Sequence, residues 1–99
     1  MAGGGWMLGE AGAERLGTWV RFALRVEAGV VEAAKVQVYG CPHTVAACSL
    51  LVARLRGRPV APLAVGTPEE WRTTVSAPVE KLGRMLIIED ALSALSRVP

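Results

Sequence analysis

Alternating hydrophobic and polar positions predict two neighbouring strands in the first half of the chain. In residues 18–26 the hydrophobic side of the pattern consists of Val20, Phe22, Leu24 and Val26. This period of two is typical of a strand that buries one face. Residues 30–39 are rich in valine, and their alternation breaks at Ala33 and Ala34, where we expect a bulge. Gly29 allows a short turn between the two segments, which predicts an antiparallel hairpin.

Beyond Tyr39 the hydrophobic residues recur every three or four positions, which predicts helices. The first helix covers residues 42–56, with Pro42 at its first position and Gly57 after its end. Its predicted buried face consists of Val45, Cys48, Val52 and Leu55. A capping box at residues 67–70 opens a second, short helix that reaches about Val75.

The last predicted helix covers residues 79–97. Its buried stripe consists of Met85, Ile88, Leu92 and Leu95, with Leu82 and Leu86 beside it. Residues 1–13 are rich in glycine and alanine, and we interpret them as loop with a short edge strand at residues 5–9. Because strands precede helices, the expected fold class is α+β: a small antiparallel β-sheet of three strands followed by helices packed on one face. Residues 1–99 are expected to form a single domain.

Composition narrows the class of protein. With 52% hydrophobic and 20% charged residues, the chain is not of the disordered type. A net charge of +2 is too small to indicate nucleic-acid binding. Residues 44–53 form an uncharged, largely apolar stretch that is about half as long as a membrane helix. The first residues lack an export signal, and two cysteines without one indicate free thiols in the cytoplasm.

Cys41 is the strongest candidate for chemistry, because it lies where a strand ends and a helix begins. A thiolate at a helix N-terminus is stabilised by the helix dipole, and His43 is two residues away. The structural alternative is a small residue at a tight turn beside a surface histidine. Cys48 falls on the predicted apolar face and is interpreted as a core residue.

Other polar groups have simpler interpretations. Glu89 and Asp90 are typical of a solvated helix surface, with a general acid or a metal ligand as the alternative. Arg54, Arg56 and Arg58 suit the C-terminal end of a helix, with a docking surface for an acidic partner as the alternative. Trp19 lies on the strand face opposite the valine and leucine row. Either the sheet is covered on both sides, or Trp19 marks a contact surface.

Three segments together carry a family resemblance. Residues 38–50, which contain Tyr-Gly-Cys at 39–41, resemble the segment that opens the first core helix of the IscU and NifU N-terminal family of iron–sulfur cluster assembly scaffolds. Residues 77–82 look like the Pro-Pro-Val-Lys segment of that family, and residues 89–92 look like its Glu-Asp-Ala-Ile helix. The similarity covers roughly residues 16–98 and implies an IscU/NifU-N-like fold.

The resemblance also shows what is missing. The cluster site of the family uses three cysteines, an aspartate and a histidine, of which only the middle cysteine is present, as Cys41. The other ligand positions fall on Leu16, Thr18, Leu82 and Gly83. His43 is an additional histidine beside the remaining cysteine. The resemblance therefore implies a degenerate scaffold, with Cys41 and His43 as candidate metal ligands and Cys41 as the residue that contacts the cofactor and accepts sulfur.

The implied cofactor is an iron–sulfur cluster or iron, with zinc as the alternative in isolation and an empty site as the other outcome. The implied partners are a cysteine desulfurase or other iron–sulfur assembly proteins. An Hsp70-type chaperone is less expected, because Glu80 interrupts the Pro-Val-Lys segment that such a chaperone recognises. A homodimer could bring two copies of Cys41 and His43 together and reach four ligands.

Three functions stay open at this point. The first is a divergent iron–sulfur assembly scaffold, which is not an enzyme. The second is an interaction module that docks assembly partners without binding metal. The third is a small thiol enzyme that uses Cys41 with His43 as base, although no third residue that would orient the histidine is evident.

Overall fold

The computed structural model describes residues 5–60, 63 and 65–97. Within them one antiparallel sheet has the strand order β3-β2-β1-β4. The strands are β1 (Gly5–Ala13), β2 (Thr18–Glu27), β3 (Val30–Tyr39) and β4 (Ser96–Arg97). The helices are α1 (Pro42–Leu55), α2 (Pro68–Thr74) and α3 (Leu82–Ser93). Two 3-10 turns, Glu14–Leu16 and Val79–Lys81, precede β2 and α3. The predicted α+β class, a three-stranded antiparallel sheet followed by helices packed against it, is confirmed, with β4 as a short addition.

The hairpin of β2 and β3 forms as the alternation predicts. Its turn consists of Ala28 and Gly29, both with positive φ (52° and 76°), as in the two-residue turns that match the twist of a hairpin. The bulge is present, but one residue earlier than expected. The pairs Arg25–Ala33 and Val26–Val31 leave Glu32 as the extra residue.

Strand β1 is longer than the predicted edge strand at residues 5–9. It reaches Ala13 and pairs with β2 along its whole length, from Gly5 opposite Val26 to Ala13 opposite Thr18. Its small residues have a packing role, because a Cβ on Gly9 would overlap the backbone of α3 around Ala91. The part of the predicted N-terminal loop that precedes residue 5 lies outside the described residues.

The last helix differs most from its prediction over residues 79–97. Its first three residues form the 3-10 turn, and α3 ends at Ser93. The chain then turns back, and Ser96 and Arg97 pair with Leu8 and Met7 of β1. A strand of two residues has no period, so hydrophobic spacing could not distinguish it from a helix end.

The core lies between one face of the sheet and the three helices. On β2 the residues that face the helices are fully or almost fully buried: Val20, Phe22, Leu24 and Val26. Helix α1 is rotated from its predicted orientation, since Val45 is 41% exposed and the buried residues are Thr44, Ala47, Cys48, Leu51 and Leu55. On α3, Met85 and Ile88 are buried as predicted, together with Ala91. Among the described residues, none of the helices has the length and apolar character needed to span a bilayer.

The opposite side of the sheet carries no helix within the described residues. We call this side the open face. Its strand positions include Trp6, Leu8, Glu10, Trp19, Arg21, Ala23, Arg25, Glu27, Lys35, Gln37 and Tyr39. Trp19 therefore belongs to an uncovered face, which favours the contact-surface interpretation over a sheet covered on both sides.

Candidate functional site

Cys41 connects β3 to α1 and is the N-cap residue of that helix, as the sequence predicts. Its backbone is extended (φ −76°, ψ 167°), and Pro42 occupies the first helical turn. The Cys41 carbonyl accepts the first helical hydrogen bond, from the N–H of Val45 at 3.1 Å. The Cys41 side chain therefore lies at the N-terminal end of α1, beside the backbone N–H groups of its first turn.

The thiol of Cys41 contacts the hydroxyl of Thr44, with 3.4 Å between Sγ and Oγ1. Thr44 is fully buried, so this hydroxyl is held in place by the core. Desolvation alone would raise the pKa of the Cys41 thiol. Hydrogen bonding by Thr44 and by the backbone of Thr44 and His43, with the positive charge of Lys81, outweighs that effect and lowers the pKa to about 6. The thiolate is therefore the main form at neutral pH.

A second contact joins α3 to the start of β2, near the connection that contains Cys41. The guanidinium of Arg84, in the first turn of α3, donates hydrogen bonds to the Gly17 carbonyl at 3.1 Å and to the hydroxyl of Thr18. Thr18 is fully buried and lies just before the last cross-strand pair of β2 and β3, Trp19 opposite Tyr39. Thr18 therefore lies next to the connection between β3 and α1 that contains Cys41, and the Arg84 guanidinium holds its hydroxyl in place.

The positions that the resemblance assigns to cluster ligands have other roles. Leu16 is 62% exposed on the 3-10 turn, and Thr18 is bound by Arg84. Leu82 and Gly83 are the first two residues of α3, where Leu82 packs against the core and Gly83 is exposed. The described residues contain no group of three or more histidine, cysteine, aspartate or glutamate side chains that could hold a metal ion.

The two remaining candidate ligands lie at the same turn. His43 is half-buried in the first turn of α1, two residues after Cys41. One thiol and one imidazole are fewer than the four ligands that a [2Fe–2S] cluster needs, and a guanidinium lies at the neighbouring Thr18. The donor set of a single chain does not fit a cluster.

The other predicted groups are structural. Cys48 is fully buried and free, and burial raises the pKa of its thiol to about 12. Arg54 forms a two-pronged ion pair with Glu70 of α2, at 2.7 and 2.8 Å, and also donates to the Val65 carbonyl. It therefore connects α1 to α2. Glu89 and Asp90 are exposed, as expected of a solvated helix surface.

Sequence reasoning did not find Thr44, Lys81 or Arg84. The contact between Cys41 and Thr44 could have been inferred from their spacing, because the residue three positions after an N-cap lies beside it. Lys81 and Arg84 come near Cys41 and Thr18 only through the packing of α3 on the sheet, and no local pattern indicates that contact.

Comparison with known proteins identifies the family. The model of the NifU-like N terminal domain matches residues 3–96, so the chain belongs to that family of iron–sulfur cluster assembly scaffolds. No curated protein matches the chain significantly.

Proposed function

We propose that this chain takes part in iron–sulfur cluster assembly as a sulfur acceptor, with Cys41 as the accepting residue. The observation that carries the proposal is the Cys41 thiol at the N-terminus of α1, in contact with the buried Thr44 hydroxyl at 3.4 Å. Its pKa of about 6 keeps the sulfur nucleophilic at neutral pH. Membership of the scaffold family supplies the context.

The accepting step is a thiol–persulfide exchange. The Cys41 thiolate attacks the outer sulfur of a donor persulfide, a new bond forms between Sγ and that sulfur, and the sulfur–sulfur bond of the donor breaks. The donor leaves as a thiolate and Cys41 becomes the persulfide, so no external oxidant or reductant is needed. Lys81 favours the anionic forms on Cys41 by its charge. A cysteine desulfurase is a donor of this chemical type, and the chain itself is an acceptor rather than an enzyme.

Cluster or iron binding is the second part of the proposal and requires more than one chain. Cys41 and His43 from two copies would supply four ligands for an iron–sulfur cluster or iron, with zinc as a competing metal. The cluster would then be cargo held between copies. The single-chain donor set supports the description of the chain as a degenerate scaffold.

One observation favours the alternative function, a module that docks assembly partners without binding metal. The positive charge of Lys81 acts on Cys41, and a second cation, Arg84, is hydrogen-bonded to Thr18, and these charges would repel iron ions. In that case Cys41 would be dispensable for partner binding. Desulfurase binding that is unchanged in Cys41→Ser, together with no sulfur transfer to the wild-type chain, would favour this function.

Mass spectrometry tests sulfur acceptance directly. The wild-type chain is incubated anaerobically with a desulfurase and cysteine, and separately with glutathione persulfide. We expect a gain of one sulfur atom on the peptide that contains Cys41. The matched control is Cys48→Ala, which should still gain sulfur, whereas Cys41→Ser should not. Equal sulfur uptake by wild type and Cys41→Ser, or uptake by neither donor route, would contradict the proposal.

Anaerobic reconstitution tests the metal part separately. Iron and sulfide are added to wild type, to Cys41→Ser and to His43→Ala, and visible absorbance and bound iron are measured. Binding by wild type that is lost in both variants supports the shared site. If the wild-type chain binds no iron but still accepts sulfur at Cys41, the metal-binding part of the proposal is wrong and the sulfur-acceptor part stands.

A further inference from the structure

The persulfide that Cys41 forms as a sulfur acceptor has no second thiol of its own chain within reach. We infer that the chain is a single-thiol sulfur carrier, in which the accepted sulfur stays on Cys41 until the thiol of another molecule removes it by thiol–persulfide exchange. The inference rests on the sulfur-acceptor part of the proposed function, and it adds the class of reaction that consumes the persulfide.

Thr44 occupies the position from which a second thiol would react with Cys41. It follows Cys41 by three positions at the start of α1, which is the spacing of the Cys-X-X-Cys redox motifs, and its Oγ1 atom lies 3.4 Å from Sγ. A thiolate at this position would form a disulfide with Sγ and expel the outer sulfur of the persulfide as sulfide. The hydroxyl of Thr44 is not ionised at neutral pH and cannot form that bond. It therefore leaves the persulfide intact.

Cys48, the other cysteine of the chain, is also unable to react with the Cys41 persulfide. It follows Cys41 by seven positions, which places it about 10 Å further along the axis of α1. A disulfide needs Cα atoms about 4–7 Å apart. The Cys48 thiol is also fully buried, and burial raises its pKa to about 12. The two sulfurs cannot meet while α1 is folded.

A single chain also has no ligand set that would keep the sulfur as the sulfide of a cluster. The positions that the family uses for further ligands carry Leu16, Thr18, Leu82 and Gly83, and Thr18 is hydrogen-bonded to Arg84. The described residues contain no other group of side chains that could hold a metal ion. A cluster shared between two copies would keep the sulfur, and the experiment below separates that outcome from transfer to an external thiol.

The step that removes the sulfur is a second thiol–persulfide exchange. An external thiolate attacks the outer sulfur of the Cys41 persulfide, a bond forms between these two sulfurs, and the bond from the outer sulfur to Sγ breaks. The electron pair of the broken bond stays on Cys41, which leaves as a thiolate, and the external thiol becomes the persulfide. No oxidant or reductant is consumed. Cys41 is only partly buried, so an external thiol can reach it.

The same groups that favour acceptance also favour release. The Thr44 hydroxyl and the backbone N–H groups at the N-terminus of α1 stabilise a negative charge on Sγ. A thiolate that is stabilised in this way is a better leaving group in exchange reactions. The geometry therefore suits a residue that passes sulfur on, and it does not suit one that stores it.

The retention of sulfur on Cys41 is tested first. The full chain is loaded anaerobically with glutathione persulfide, desalted, and followed by mass spectrometry after alkylation. Wild type, Cys48→Ala and Thr44→Ser should keep the extra sulfur. Thr44→Cys should lose it at least about tenfold faster, with release of sulfide and formation of a disulfide between positions 41 and 44. Circular dichroism verifies that the variants are folded, and the comparison of wild type with Cys48→Ala does not depend on Thr44→Cys.

Transfer to an external thiol is tested on the same loaded chain. One equivalent of 2-mercaptoethanol is the probe acceptor, and its persulfide is trapped by alkylation. The loaded wild-type chain should return to the free Cys41 thiol as this persulfide appears in equal amount. Ferrous iron is added in a parallel sample and should not change the amount of sulfur that is transferred.

The outcomes separate the inference from the proposed function. If the wild-type chain cannot be loaded, both are wrong. The inference alone is overturned if the loaded wild-type chain forms a disulfide between Cys41 and Cys48, or if folded Thr44→Cys keeps its sulfur as long as wild type does. It is also overturned if the loaded chain does not transfer sulfur to the thiol, or if added iron retains the sulfur on the chain.

Discussion

The Oγ1 atom of Thr44 lies 3.4 Å from the Sγ atom of Cys41, and Thr44 is fully buried whereas Cys41 is only partly so. A core residue therefore supplies a hydrogen bond to the one reactive thiol of the described chain. Thr44→Val keeps the shape of the side chain and removes that bond. We expect the pKa of Cys41 to rise, and the alkylation rate at pH 7 to fall several-fold.

Iodoacetamide alkylation followed by mass spectrometry measures this change. Thr44→Ser retains a hydroxyl and is the control, which should keep most of the wild-type rate. The folding of both variants is compared by thermal unfolding. Equal rates in wild type and Thr44→Val would show that the Thr44 hydroxyl does not stabilise the thiolate.

The pH dependence of the wild-type chain gives an independent check. The pKa of Cys41 in the folded state is lowered to about 6, whereas that of an unfolded cysteine is about 8.5. The alkylation rate should therefore reach half its maximum near pH 6. For the same reason Cys41 contributes stability that is fully present above the unfolded pKa and is lost as the pH falls through about 6.

Cys48→Ala is the control for the pH profile. In the wild-type chain the Cys48 thiol is buried, and burial raises its pKa to about 12. Removing it should therefore leave the pH of half-maximal alkylation unchanged. A wild-type midpoint near pH 8.5 would contradict the proposed ionisation of Cys41.

Arg84 is expected to stabilise the fold through Thr18 and Gly17. Arg84→Met removes the guanidinium and leaves the buried Thr18 hydroxyl without this donor. The free energy of unfolding should fall by about 1–3 kcal/mol, measured by urea denaturation. Arg84→Lys, which retains a charge but not the paired donors, should be intermediate. A variant as stable as wild type would show that the contact contributes nothing.

Gly9 allows α3 to approach β1. A Cβ at this position would overlap backbone atoms of α3, including the Ala91 carbonyl oxygen, and backbone cannot move aside as a flexible side chain can. Gly9→Ala should therefore lower the free energy of unfolding by about 1–3 kcal/mol. Gly83→Ala is the matched control, because a Cβ at Gly83 meets no atom within 4 Å. That variant should be at least as stable as wild type, since alanine favours helix.

Ala28 offers a stabilising change. It adopts φ of 52° in the turn between β2 and β3, a region that glycine enters at little cost. Ala28→Gly should raise the melting temperature by a few degrees, corresponding to about 1 kcal/mol. Lower stability of this variant would mean that the added freedom of the unfolded chain outweighs the relieved backbone strain.

The parts of the fold that could be predicted are those with a strong local signal. The alternation of β2 specifies its buried face, and Pro42 and the residues around Thr67 specify where α1 and α2 begin. The rotation of α1 was not predictable from hydrophobicity, because the buried Thr44 is polar and the exposed Val45 is apolar. Its orientation follows from how α1 leaves β3 and packs on the sheet.

The site shows the same division. The position of Cys41 at a strand–helix junction could be inferred from Gly40 and Pro42 alone. The bond between Arg84 and Thr18 joins residues 66 positions apart, and only the packing of α3 against β2 creates it. A pattern along the chain contains no information about such a pair.

The contact between Arg84 and the start of β2 differs from a metal-bridged contact in what it needs in order to form. A metal-bridged corner forms only when metal is supplied and is lost when oxidants remove it. Arg84 is part of the polypeptide, so its hydrogen bonds to Gly17 and Thr18 form in every copy that folds. The contact between Arg84 and Thr18 therefore does not depend on a supply of iron.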